Sequence, residues 1–175
     1  MIGPGAEITE VTRQQTLIAL DGDRKVVVDA DALTVSAQNK QALFVRCSDR
    51  CLLTPHEGEF KRLFDVTGDK LKRAREAASI SGVVVLLKGP DTVIAHPDGR
   101  AIINANAPAY LATAGSGDAL AGIAAGFMAQ GMDVFDAAAA ASWLHGDAGA
   151  MFGPGLVAED LIHILPRALP NVINM

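Results

Sequence analysis

Val83-Val84-Val85-Leu86-Leu87 is apolar at every position and is closed at once by Lys88-Gly89. A strand with one wet face would alternate, so a short unbroken run predicts a strand covered on both faces, as in a parallel sheet between helices. Two further runs share the pattern. Arg24-Lys25-Val26-Val27-Val28 ends in Asp29-Ala30-Asp31, and Cys51-Leu52-Leu53 ends in Thr54-Pro55-His56. Open α/β sheets bind ligands outside the carboxyl ends of their strands, so these three polar endings are expected along one edge of the molecule. Residues 92–96 and 101–104, joined by Pro97-Asp98-Gly99-Arg100, read as an antiparallel hairpin. Helices are expected over 57–64, 70–79, 118–130 with a stop at Gly131, 135–150, and 159–165 ahead of Pro166. No linker or repeat divides the chain, which predicts one α/β domain over residues 1–175.

Half of the residues are apolar (50%) and the mean hydropathy is +0.25, enough for a substantial core. No apolar stretch approaches the ~20 residues of a membrane span. Met1-Ile2-Gly3-Pro4-Gly5 lacks the basic-then-apolar pattern of a leader. A soluble, cytoplasmic protein without membrane contact is expected. A net charge of −5 and a pI near 5.3 argue against a nucleic-acid surface. Anionic ligands must then be recognised locally. Cys47 and Cys51 are the only cysteines and read as reduced thiols, and His56, His96, His145 and His163 form no H-x-x-x-H pattern. No metal site built from side chains alone is expected.

In Leu111-Ala112-Thr113-Ala114-Gly115-Ser116-Gly117-Asp118-Ala119-Leu120, two glycines around a serine lead into a helix whose first turn carries an aspartate. Without Cβ atoms, Gly115 and Gly117 let the backbone turn N–H groups toward the positive end of that helix, which suits a phosphate. A carboxylate repels phosphate, so Asp118 beside such a hole points to a hydroxyl being deprotonated next to a phosphoryl group. The alternative is an acid that only stabilises a helix N-terminus.

Thr54-Pro55-His56-Glu57-Gly58-Glu59-Phe60, Leu87-Lys88-Gly89-Pro90-Asp91-Thr92-Val93-Ile94-Ala95 and the stretch 104–120 follow one another in an order and spacing that resembles a known family. It is that of the ADP- or ATP-dependent NAD(P)H-hydrate dehydratases, relatives of ribokinase. Asp29-Ala30-Asp31-Ala32-Leu33 fits the family's D-A-D-A-L segment, and the similarity runs from near residue 1 to about residue 169. The resemblance implies a ribokinase-like three-layer α/β/α fold with a mostly parallel central sheet and a hairpin in its C-terminal half. It also implies a repair reaction, in which hydrated NADH or NADPH is returned to the working cofactor with release of phosphate and AMP or ADP.

On the same basis Asp118 is the catalytic base and faces the hydrate, which Gly5 and His56 also contact. Lys88, Gly89, Pro90, Asp91 and Thr92 hold the nucleotide together with Gly115, Ser116 and Gly117, the N–H groups of Ser116 and Gly117 stabilising the transferred phosphoryl group. Mg2+ accompanies ADP or ATP, with no side chain assigned to it. Apart from the resemblance, Lys88 reads as a hairpin-edge lysine and His56 as a residue fixing a turn. Asp29 and Asp31 read either as metal or substrate contacts or as caps of the next turn. Glu57 and Glu59 are assigned no chemistry.

Ile2-Gly3-Pro4-Gly5 resembles an internal G-P-G-L-G turn of the family, with Ala6-Glu7 in place of its last two residues. Roughly the N-terminal third of the usual domain is therefore expected to be missing, and the apolar surface it would cover predicts a homo-oligomer. Two other readings stand. A kinase of a small alcohol, such as a hydroxymethylpyrimidine or a sugar, shares the G-S-G-D segment but is not expected to carry the D-A-D-A-L and T-P-H-E-G-E segments together. A non-catalytic nucleotide-binding fragment would bind nucleotide and turn nothing over.

Overall fold

The three apolar runs form β1 (Val26–Val28), β2 (Cys51–Leu53) and β3 (Val84–Leu87), paired in parallel. The hairpin forms β4 (Thr92–Ala95) and β5 (Ala101–Asn104), with β4 lying between β3 and β5 and pairing antiparallel to both. In the computed structural model, which describes residues 1–173, these strands lie in chain order across one mixed sheet. The helices are α1 (Glu10–Leu20), α2 (Ala30–Ser36), α3 (Lys40–Phe44), α4 (Glu57–Leu63), α5 (Lys70–Ser81), α6 (Ser116–Ala129), α7 (Val134–Phe152) and α8 (Ala158–Ile173).

Alternate strand residues serve opposite layers. Val26, Val28, Cys51, Leu53, Val85 and Leu87 pack on Leu20, Leu33, Leu43, Phe60 and Leu63 of α1 to α4 and on the alanines of α5. Val27, Leu52, Val84, Leu86 and Ile94 pack on α6 and α7. This is the three-layer α/β/α arrangement, and it explains the unbroken apolar runs. Neither face has water to receive a polar side chain, and each buried Val or Leu contributes about 1.5–3 kcal/mol. Leu86→Ala would cost about 2–5 kcal/mol. A smaller core of Leu111, Leu144, Leu156 and Leu161 seats α8 against α7. Among the described residues, no helix is long and apolar enough to cross a membrane.

Several boundaries differ from expectation. Helix α6 starts at Ser116 rather than Asp118, because Gly115 takes a left-handed conformation (φ 82°) and acts as its N-cap. Helix α5 runs two residues further than expected, to Ser81, where Gly82 ends it at φ 72°. Helix α8 does not stop before Pro166 but continues through Pro166 and Pro170. Those prolines lie four apart on the exposed side, while Leu161 and Ala168 are buried on the other. Burial along α8 therefore offsets the hydrogen bonds the prolines cannot make.

Candidate active site

The register of the parallel strands sets the polar endings side by side. Val28 lies opposite Leu53, and Leu53 opposite Val85. The Thr54 N–H donates to Val28 O (3.1 Å) and the Lys88 N–H to Pro55 O (2.9 Å), so the three strand exits are stitched into one edge. Above that edge opens a cleft of about 890 Å³. The starts of α2, α4 and α6, the end of β3, the arm of residues 107–113 and His145 of α7 form its walls.

Of the residues predicted for the site, His56, Lys88, Gly89, Pro90, Thr92, Ser116, Gly117 and Asp118 line the cleft. Three do not. Asp91 is turned to Lys70 (2.9 Å), which draws its carboxyl below the usual aspartate range. Gly115 lies outside the lining and shapes the turn into α6. Gly5 is exposed in the turn closed by Ala6 N–H on Gly3 O, beside α2, where the Glu7 N–H reaches Asp31 Oδ2 (2.9 Å). Thr92 lines the cleft with its hydroxyl already committed, donating to Gly89 O (2.9 Å).

At the head of α6 the first helical bond runs from Ala119 N–H to Gly115 O (3.0 Å), and the Ser116 N–H is taken by Thr113 O (3.3 Å). Among the described residues, the N–H groups of Gly117 and Asp118 have no acceptor. Two orphan donors at a helix N-terminus are suited to an anion. A Cβ on Gly117 would lie 3.4 Å from Lys88 Nζ, so the ammonium stands over the same turn. The Asp118 carboxyl is held above its ordinary value of 3.8 by partial burial and by the nearby Asp29, with Lys88 pulling the other way. A raised carboxylate is a stronger base than an ordinary one.

His56 caps α4. Its Nδ1 accepts the N–H groups of Gly58 (2.9 Å) and Glu59 (3.3 Å), while Glu59 Oε2 accepts the His56 N–H (2.8 Å). The turn-fixing reading of His56 is thus realised, with its ring still bordering the cleft. Glu59 is buried, and burial raises its carboxyl.

Glu59 and His145 escaped sequence reasoning, and Asp29, read there as a metal or substrate contact or as a cap, makes no capping hydrogen bond and pairs with a lysine. Asp29 is wholly buried and accepts Lys88 Nζ at 2.7 Å. Glu59 was assigned no chemistry, and its spacing from His56 was the available signal of a capping box. His145, a lone histidine among small residues, meets Ser116 Oγ through Nε2 at 3.0 Å. Burial lowers its pKa to about 4, so it is neutral near pH 7 and serves to fix Ser116.

A Gly-rich helix start, a lysine over it and a carboxylate beside it at the strand ends of an α/β/α sandwich define a ribokinase-like domain. A solved ribokinase-like superfamily protein from Enterococcus faecalis superimposes with a TM-score of 0.83 at 26% identity, over 98% of this chain and 62% of that one. Residues 1–167 match the family model described as NAD(P)H-hydrate dehydratase, and the chain belongs to that family. It is 42% identical over 151 residues to an ADP-dependent (S)-NAD(P)H-hydrate dehydratase of Neisseria meningitidis, covering 79% of this chain and 51% of the relative. The ADP/ATP-dependent NAD(P)H-hydrate dehydratase of Bacillus subtilis, co-crystallised with ATP and Mg2+, superimposes with a TM-score of 0.83 at 32% identity. That match covers 98% of this chain and 63% of the other. The chain thus spans about half the length of the Neisseria relative.

Proposed function

We propose that this chain carries out the nucleotide-dependent dehydration of hydrated NADH or NADPH, as its relatives' names describe. The observation that carries this reading is the convergence of Lys88, the unpaired N–H groups of Gly117 and Asp118, and the Asp118 carboxylate on one cleft. Lys88 and the head of α6 would hold the nucleotide's terminal phosphate. Asp118 would take the proton from the ring hydroxyl as its oxygen attacks that phosphorus, releasing AMP from ADP. The phosphate then leaves from carbon with the pair of electrons of the C–O bond, assisted by the lone pair of the ring nitrogen, and a ring proton is lost to restore NADH or NADPH.

Among the described residues, no three His, Cys, Asp or Glu side chains converge on a metal position. The donor set fits a magnesium ion that arrives on the nucleotide and keeps much of its water, with Lys88 and the α6 N–H groups holding the phosphates. When bound, the ion would neutralise phosphate charge. Residues 1–175 act in this reading as one domain with its own cores, working in the cytoplasm on small molecules, without nucleic acid or membrane. Exposed Ile8, Val11 and Ile18 at and along α1 support association with a second copy. Sedimentation showing a stable monomer across micromolar concentrations would refute that assembly.

The decisive assay is release of phosphate with recovery of NADH absorbance from hydrated NADH and ADP, run beside a panel of small alcohols. Asp118→Asn should lower turnover by roughly 10²–10⁴-fold while sparing nucleotide binding. Turnover of an alcohol instead of the hydrate would reassign the chain as a kinase, and nucleotide binding without turnover would make it a binding fragment. The acid limb of the wild-type rate should lie above the ordinary aspartate value of 3.8, activity falling as Asp118 protonates.

A further inference from the structure

Asp29 is placed at a local cost. It occupies the N-cap position of α2, yet its side chain accepts none of that helix's N–H groups, although aspartate is among the favoured capping residues. Ala30, next in the chain, sits at φ 47°, a left-handed conformation disfavoured for a residue with a Cβ. The carboxylate is fully buried, its Oδ1 bound to Lys88 Nζ at 2.7 Å. Its Oδ2 is the one buried side-chain polar atom without a partner among the described residues. Such strain and lost capping, spent on one carboxylate, point to a functional placement.

The charge arrangement says what that placement does. A cleft that binds phosphate needs a cation, and an ammonium beside Asp118 would weaken it as a base. Lys88 stands over Gly117, the neighbour of Asp118. Resting on the reading given above, we propose that Asp29 is a positioning residue that neutralises Lys88 within the cleft, so that a phosphate-binding ammonium and the Asp118 base work side by side. Asp118 is faced by Asp29 and Asp31 at the head of α2 and by Lys88 at the end of β3. Glu57, Glu59 and His56 at the start of α4 border the same cleft, as does His145 of α7, which is turned to Ser116. Of these, Asp29 alone is hydrogen-bonded to Lys88. The raised Asp118 carboxyl, with Asp29 among its causes and Lys88 opposing, agrees with this division of labour.

The test is a carboxyl-carbon NMR titration of Asp118 in the nucleotide-free chain, beside calorimetry with ADP and magnesium. Asp29→Asn keeps the shape and an acceptor for Lys88 while removing the charge. It should lower the Asp118 midpoint by roughly half a pH unit or more and tighten ADP roughly tenfold by leaving Lys88 uncompensated. A midpoint that stays or rises, or an affinity that stays or weakens, overturns the proposal, since a merely structural carboxylate would move neither in this direction. If Asp29→Asn fails to fold, Lys88→Met decides, because it must raise the Asp118 midpoint and a flat response overturns the proposal. A wild-type chain that binds no ADP would refute the proposed function instead, leaving the titration to judge Asp29 alone.

Discussion

Removing the Lys88 side chain should damage the fold as well as the site. The family resemblance implies that Lys88→Ala weakens nucleotide binding without unfolding the domain. The structure adds a partner, because the ammonium lies 2.7 Å from a carboxylate with 0% exposure. Breaking a buried pair from one side costs about 3–5 kcal/mol, since the remaining charge is stranded. The Lys88 side chain is itself 16% exposed, so water can reach toward the gap and the lower end, about 3 kcal/mol, applies. For a chain of this size that corresponds to a melting temperature lower by about 6–12 °C. Loss of a charge-assisted phosphate contact adds a separate effect on ADP affinity, roughly 10- to 150-fold. Thermal and urea denaturation of Lys88→Ala, and of the same change combined with Asp29→Asn, measure the first effect. The double variant buries no bare charge and should recover much of the loss. A single variant melting within about 2 °C of wild type would refute the reasoning.

His145→Gln keeps a hydrogen-bonding side chain and removes the proton site. His145 falls from an ordinary 6.5 to about 4 in the fold, so its contribution is complete above 6.5 and is lost as pH falls toward 4. That loss is on the order of 3 kcal/mol, and urea melts at pH 7 and pH 4.5 should show it shrinking in the variant. Gly146→Ala places a Cβ on the Asn106 carboxamide, which now bonds Asn104 and Trp143 O. It should cost about 1–3 kcal/mol by urea denaturation. His56→Ala should lose about 1 kcal/mol with its capping box, while His56→Asn should retain that stability. A raised KM for the hydrate in both His56 variants would show a substrate contact beyond the cap.

The parallel strands were legible because burial on both faces leaves a one-dimensional trace, a short run with no polar residue. The hairpin was legible because Pro97-Asp98-Gly99-Arg100 has turn chemistry. Helix α1 was not, since Val11 and Ile18 are exposed while Thr12 and Thr16 are buried, an inversion that erases the usual apolar stripe. Thr16 satisfies its hydroxyl on Thr12 O (2.8 Å), which is how a polar side chain came to face inward. The passage of α8 through two prolines was hidden for a related reason. Proline marks a local backbone cost, whereas the burial that outweighs it comes from tertiary packing against α7, which the proline positions themselves do not show.

Within the site, the predicted residues that line the cleft are those marked by their immediate neighbours, such as Gly117 at a helix start and Lys88 at a strand end. The pairings that stayed hidden join partners far along the chain, Asp29 with Lys88 at a separation of 59 and His145 with Ser116 at 29. Their effect sets a limit on how this cleft can hold an anion. The one lysine lining it is paired with a buried carboxylate, Glu57, Glu59 and Asp118 add three more acids to its walls, and the chain as a whole carries −5. Long-range attraction therefore works against a polyanion here. What remains to hold phosphate is short-range and directional. It consists of the two unpaired N–H groups at the head of α6 and an ammonium shared with Asp29, which reward correct placement of a phosphate far more than its mere presence.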